Sequence, residues 1–335
     1  MIPSAIILTD NELEEFFPDG NREKLHQLLP ELRYLDPLQA SNDEFIDFVM
    51  GNRPELMITG WKCPNLPDEL LPAMKSFLKY ICHTGGSVRK LLSKKFIESG
   101  IIVSNWGSTV SPNVAEGALL LIMTALRRTS YWSIQMHCHG GWKDNNLKTE
   151  TLLGRKVGIH GFGVISRELI GLLKPFNCDI SVFSEWGTEK MLAEYGASRA
   201  VTLEQLFSES DIIVDLAAAT PANYHIVNEK LLRTIRPGGV FVNIGRGMVV
   251  DEDALARVAA EGQIQVALDV YEVEPLPANS PLRGLNNVTL MPHLGGPTVD
   301  FRRNCGAYAL SNVNRYLKHE PIESIVSGEI YDRTT

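Results

Sequence analysis

Three residues far apart in the chain, Arg246, Glu274 and His293, have the types needed to handle a carboxylate and a proton. Each follows an apolar run that reads as a β-strand: GVFVNIG (239–245) before Arg246, QVALDV (265–270) before Glu274, and NVTLMP (287–292) before His293. In an open α/β sheet the carboxyl ends of the strands converge on one crevice, so residues distant in sequence can meet there. An arginine fork grips a carboxylate through two hydrogen bonds, and an imidazole exchanges a proton with a nearby oxygen. A carboxylate beside the imidazole orients it and favours its protonated form. The set suits a small acid with an oxo or hydroxy group at carbon 2. Taken singly, each residue has a plainer reading. Glu274 opens the turn EPLP (274–277), where an exposed carboxylate is ordinary, and His293 before Leu294-Gly295-Gly296 can be a satisfied buried histidine. Arg246, between two glycines, is harder to explain as a merely solvated side chain. Their common placement argues for a site.

A second constellation precedes them. GFGVIS (161–166) follows the strand-like RKVGIH (155–160) and opens a helical pattern, the context in which a glycine-rich turn holds a pyrophosphate. Gly161 permits the tight turn and Gly163 lets the backbone approach the phosphates. Phe162 lies between them, and the helix start at Val164 and Ile165 supplies amide donors and the positive end of the dipole. Ser166 stands where a third glycine is usual, and turns of this kind also use glycine for purely structural reasons. At the end of the next strand the chain reads Ser184, Glu185, Trp186. Glu185 can accept both ribose hydroxyls, which favours NAD; Ser184 can instead bond a 2′-phosphate, so NADP stays open.

These residues need two sheets to position them. AIILTD (5–10), LMITG (56–60), LKYICHTG (78–85) and IIVSN (101–105) alternate with helical patterns and predict a parallel α/β sheet. RKVGIH, DISVFS (179–184), DIIVDLA (211–217) and the three strands named above predict a second, doubly wound sheet. Helices are expected over 166–176, 228–236, 251–262 and 297–319, the last returning to the first sheet. The stretch 113–128 is apolar over most of its circumference and predicts a helix buried between domains or subunits.

Composition is consistent with this architecture. With 335 residues, 44% of them hydrophobic, the chain is long enough for two cores. The net charge of −8 shows no Lys/Arg cluster that would track nucleic acid or an anionic membrane, and neither partner is expected. Five scattered cysteines, the absence of a basic leader and the absence of a long apolar run point to a reduced, cytoplasmic protein without a membrane span.

VGIHGFG (157–163), TPANYHIV (220–227), NIGRGMVVDEDAL (243–255), ALDVYEVEPLP (267–277) and MPHLGG (291–296), in that order, resemble the signatures of the D-isomer-specific 2-hydroxyacid dehydrogenases. The likeness runs from about residue 54 to 318. It implies an α/β fold of two Rossmann-like, doubly wound parallel-sheet domains, with the cofactor domain inserted into the substrate domain. The substrate domain, flavodoxin-like, would comprise 1–109 and 297–335, and the NAD(P)-binding domain 110–296. It implies Arg246 as the carboxylate-binding residue, His293 as the general acid and Glu274 as its partner. Thr220, Pro221 and Asp269 would contact the cofactor, Asp269 on its nicotinamide side, and the protein would form a homodimer.

The resemblance also implies that the turn TGGSVRK (84–90) meets the substrate carboxylate through Gly86, Ser87 and Val88, with Trp61 lining the pocket or filling the domain edge. Arg89 replaces the family's usual aspartate there, either as a charge for an acidic substrate or as a structural salt bridge. His137, Cys138 and His139 lie on different faces of a helical stretch, so no metal is expected. His160 reads as a neighbour of the pyrophosphate or a plain strand-end residue, and His83 as a weak pocket candidate. A different class stays open as well: an NAD(H)-sensing, corepressor-like interaction protein with little turnover.

Overall fold

A computed structural model describes residues 2–143 and 147–333. The chain divides into two compact units, Met1–Val110 with Pro297–Thr335, and Ser111–Gly296.

The first unit is built on a five-stranded parallel sheet of order β2-β1-β3-β4-β5. Its strands are β1 Ser4–Ile7, β2 Leu32–Leu35, β3 Leu56–Thr59, β4 Tyr80–His83 and β5 Ile102–Ser104. Strands β1, β3 and β4 are buried at every position, as continuous apolar runs in a sheet covered on both faces should be. The edge strand β2, LRYL, was not expected: its two central residues are exposed and it lacks the run of apolar residues that marks its neighbours. The helix Val299–Leu317 belongs to this unit, packing on the helices Asp10–Phe16 and Asp19–Leu28 and against β4.

The second unit carries a seven-stranded sheet of order β12-β11-β10-β9-β6-β7-β8, in which the paired strands are parallel. Its strands are β6 Lys156–His160, β7 Asp179–Phe183, β8 Ser198–Arg199, β9 Ile212–Asp215, β10 Val240–Asn243, β11 Gln265–Leu268 and β12 Val288–Leu290. The two-residue β8 is too short to leave a periodic signal. The helix expected over 228–236 shortens to Glu229–Leu232, capped by Asn228, because Pro237 and two glycines follow and the next strand starts at Val240.

The long apolar helix spans Ser111–Arg127, with Pro112 in its first turn, where the missing amide costs nothing. Within the second unit it packs on the helix Val164–Leu173 and on β10, β11 and β12. Its buried residues, among them Val114, Ala118, Leu121, Ile122 and Ala125, mark one face, and Leu120 on the other is 52% exposed. Within this unit the helix makes an amphipathic contact. Among the described residues no helix is long and apolar enough to cross a membrane.

Candidate active site

Strands β10, β11 and β12 are neighbours, so the loops leaving them lie side by side. After β10 the chain turns under the control of Asn243, whose side chain accepts the Gly245 amide at 3.0 Å and donates to the Arg246 carbonyl at 3.1 Å. Arg246 is half-buried, and one of its terminal nitrogens donates to the Gly245 carbonyl at 2.6 Å. The following residue must be glycine: a Cβ at Gly247 would sit 1.9 Å from the carbonyl carbon and oxygen of Tyr271. The GRG sequence is thus the contact point of two loops, the one after β10 and the one after β11.

Tyr271 ties this arrangement to the other two residues. Its amide donates to Glu274 Oε1 at 3.1 Å, and its hydroxyl donates to the Met291 carbonyl at 2.8 Å. Glu274 Oε2 lies 2.7 Å from His293 Nδ1, with the side chains 36% and 52% exposed. His293 itself has φ of 54°, in the left-handed region that side chains enter at a cost. Asp269 holds it there: its carbonyl accepts the His293 amide at 2.9 Å, and its carboxylate accepts the amides of Leu294 at 2.7 Å and Gly295 at 2.8 Å. Burial pushes the Asp269 carboxyl above the usual aspartate range. Asp269 is 1% exposed, with both oxygens engaged by the loop that carries His293.

The glycine turn lies between β6 and the helix Val164–Leu173. Gly161 has φ of 98°, and a Cβ there would press against the Leu216 carbonyl at 2.9 Å. Gly163 takes the N-cap position, no side chain caps the helix, and a Cβ on Gly163 would meet nothing within 4 Å. The amides of Val164 and Ile165 and the positive dipole end thus sit beside open space, which fits a pyrophosphate. Ser166, in the third glycine's place, donates its hydroxyl to the Gly161 carbonyl at 2.9 Å and so braces the turn. The Phe162 ring lies against Tyr195, centroids 5.6 Å apart, and under the Arg167 guanidinium at 4.9 Å. After β7, Ser184 Oγ accepts the amides of Trp186 and Gly187, while Glu185 is exposed. That leaves the carboxylate, the group suited to ribose hydroxyls, as the side chain presented at this strand end. Thr220 and Pro221 start the short 3-10 turn Pro221–Asn223 after β9.

In the first unit the turn after β4 is held through its carbonyls. Trp106 donates its amide to the Gly85 carbonyl at 3.2 Å, and Asn105 Nδ2 donates to the Gly86 carbonyl at 2.6 Å. Gly86 and Ser87 are partly exposed, whereas Val88 is 1% exposed with its side chain in the core. Arg89 donates to the backbone carbonyls of Tyr331 and Asp332 at 3.0 and 2.7 Å. Trp61 is 38% exposed and fixed from three sides, by Phe16, Trp106 and the Arg302 guanidinium.

Several residues that shape these sites escaped the sequence reading. Glu12 is buried and accepts the amides of Thr9 and Trp61, both at 2.9 Å; its T-x-x-E capping box was there to be seen. Asn105, just past β5, was open to the same strand-end rule that picked out Arg246. Next to the triad, His225 Nε2 lies 2.9 Å from Glu272 Oε1. His160 is buried against Asp215 at 3.2 Å. His83 is buried, with Nδ1 3.0 Å from the Thr59 hydroxyl, and burial pulls its pKa down to about 4. Among the described residues no cluster of three or more His, Cys, Asp or Glu side chains can hold a metal.

Residues 119–295 match the family model described as D-isomer specific 2-hydroxyacid dehydrogenase, NAD binding domain. The chain belongs to this family. Similar proteins include a hydroxyphenylpyruvate reductase from Plectranthus scutellarioides, 35% identical over 67% of this chain and 71% of the relative. A human glyoxylate reductase/hydroxypyruvate reductase is 31% identical over 78% and 80%. A crystal structure of a glyoxylate reductase from Paecilomyes thermophila superposes with a TM-score of 0.82 at 25% identity, covering 98% of this chain and 99% of that one. As a 2-hydroxyacid dehydrogenase the chain is an NAD-using oxidoreductase that acts on a CH–OH group, and the glycine turn lies within the matched segment.

Proposed function

We propose that the chain reduces a 2-oxo acid to the D-2-hydroxy acid, with His293 as proton donor and Arg246 as the carboxylate grip. The observation that carries this reading is the 2.7 Å contact between His293 Nδ1 and Glu274 Oε2, with both side chains open to solvent. With Nδ1 engaged by the carboxylate, Nε2 is the nitrogen left to face a substrate oxygen. Glu274 fixes the ring orientation and leaves Nε2 to carry the proton that is transferred. As the reaction proceeds, negative charge builds on the substrate oxygen, and the proton held on Nε2 neutralises it. Arg246 holds the carboxylate through its planar fork, so that carbon 2 is presented in one orientation.

The turn Gly161–Ile165, with Glu185 for the adenosine ribose, would hold NADH, which would supply the hydride. Thr220 and Pro221 flank the same strand-end edge. The amides of Gly86 and Ser87 are assigned to the substrate carboxylate as well. The protein is placed in the cytoplasm, in line with five free cysteines, and as a homodimer, in line with exposed Ile134, Met136 and Trp142 on and after the helix Thr129–His139.

A panel of 2-oxo acids assayed with NADH and with NADPH tests the reading. Reduction of at least one, with NADH preferred and the D-hydroxy acid as product, is the expected result. Failure to reduce any of them, or formation of the L-isomer, sinks it. Light scattering of the purified chain checks the dimer.

A further inference from the structure

The substrate turn of this chain carries Arg89, and the side chain reaches away from the turn to the end of the molecule. Its Nε and Nη2 donate to the consecutive carbonyls of Tyr331 and Asp332 in the C-terminal helix Gly328–Arg333. Those carbonyls lie in the last turn of that helix, where unsatisfied acceptors and the negative dipole end gather, and a planar fork suits them better than a lysine would. The guanidinium also lies over the Tyr331 ring, 5.5 Å from its centroid.

Two further contacts fasten the same helix to the segment that follows the turn. Tyr331 donates its hydroxyl to the Leu92 carbonyl at 2.8 Å, and Lys94 pairs with Asp332 at 2.5 Å. The turn is therefore held at two ends. Asn105 and Trp106 grip the carbonyls of Gly86 and Gly85 at the front, and the C-terminal helix grips Arg89 and its successors at the back. Only Val88 separates Arg89 from Ser87, and the Arg89 amide bonds the Ser87 hydroxyl at 3.3 Å. With Val88 itself anchored in the core, that amide–hydroxyl bond is the link from the back hold to Ser87.

From this geometry we infer that the C-terminal helix, acting through Arg89, sets the orientation of the amides that receive the substrate carboxylate. Arg89 is a positioning residue, and residues 328–333 are a working part of the substrate site. The inference rests on the assignment of the Gly86–Ser87 turn to the substrate carboxylate. Donors aimed in advance bind an anion without reorganisation, so their loosening weakens substrate binding and leaves the proton chemistry of the other unit alone.

Steady-state kinetics with the best 2-oxo acid at saturating NADH test it. Arg89→Met should raise KM for the oxo acid about tenfold, with kcat and the KM for NADH within about twofold. Deletion of 328–335 should give a similar rise, and the two changes combined should add little, since both remove one hold. Should the deletion fail to fold, the pair Lys94→Met and Tyr331→Phe loosens the helix without touching Arg89 and should raise the same KM about threefold. If Arg89→Met raises KM while loosening or deleting the helix does not, Arg89 acts on the substrate directly and the inference falls. It falls equally if kcat and both KM values move together, the mark of general destabilisation. A wild-type chain that reduces no 2-oxo acid overturns the parent reading and this one with it; a working enzyme whose KM ignores all these variants overturns this one alone.

Discussion

The seven-stranded sheet carries one histidine–carboxylate pair at the end of β6 and another beyond β12, and the two differ in nearly everything but composition. His160 and Asp215 are direct partners in the β6–β9 register, and their side chains are 5% and 0% exposed. Asp215 also accepts the Ala217 amide at 3.0 Å, so the pair cross-links two strand ends and the chain leaving them. His293 and Glu274 belong to loops, lie closer together, and are open to solvent. A proton donor has to be reached by its substrate, whereas a cross-link has to be shielded from water. Burial thus sorts the same two functional groups into a solvent-facing pair, the one proposed for catalysis, and an architectural one.

That contrast is broken or sharpened by four measurements. The largest effect is expected from His293→Ala, which should lower kcat by roughly 10²–10⁴-fold, the usual worth of a positioned general acid, while the melting temperature barely moves. Wild-type turnover in that variant would erase the distinction between the pairs. Next comes Asp215→Ala, which leaves a buried imidazole and the Ala217 amide without their partner. Urea unfolding should show a loss of about 3 kcal/mol, with kcat per folded molecule kept; a loss under about 1 kcal/mol would mean that the buried pair holds nothing.

A third measurement uses His83, a buried imidazole whose Nδ1 meets a hydroxyl in place of a carboxylate. Its folded pKa, about 4, lies below the unfolded value near 6.5. The unfolded chain therefore binds the extra proton first as pH falls. The stability that His83 contributes is complete above about pH 6.5 and is lost on the way down to about pH 4, by on the order of 3 kcal/mol. His83→Gln should flatten that part of the stability-against-pH curve, and a curve parallel to wild type would refute the assignment. The smallest effect belongs to Glu274→Gln, which keeps a hydrogen-bond acceptor but removes the charge. A fall in kcat of about tenfold to a hundredfold is expected, clearly less than for His293→Ala. Equal losses would make the two residues one inseparable unit.

The parallel sheets were legible because their central strands are buried on both faces and so read as uninterrupted apolar runs. Two edge strands were not: β2 is half-exposed and β8 two residues long, and their pairing comes from neighbours rather than from their own composition. The triad was legible for a related reason, since Arg246, Glu274 and His293 each follow a recognisable strand and the strand order makes their loops adjacent. What periodicity does not encode is direction. Whether a polar side chain at a strand end points to solvent, as His293 does, or into the sheet, as Asp215 does, depends on the loop that follows. Arg89 shows the same gap, because its partners are backbone carbonyls some 240 residues away, with no side-chain signature of their own.

Tyr271 has a consequence for anyone who would move this chemistry elsewhere. Its backbone abuts Gly247, its amide bonds Glu274, and its hydroxyl bonds the carbonyl of Met291, two residues before His293. The loops that carry Arg246, Glu274 and His293 are thus registered against one another around a single tyrosine. A graft that copied only arginine, glutamate and histidine onto a foreign sheet would transfer the reagents without the jig. The portable unit is the trio of loops, 244–247, 269–275 and 291–296, lifted together with the tyrosine that spaces them.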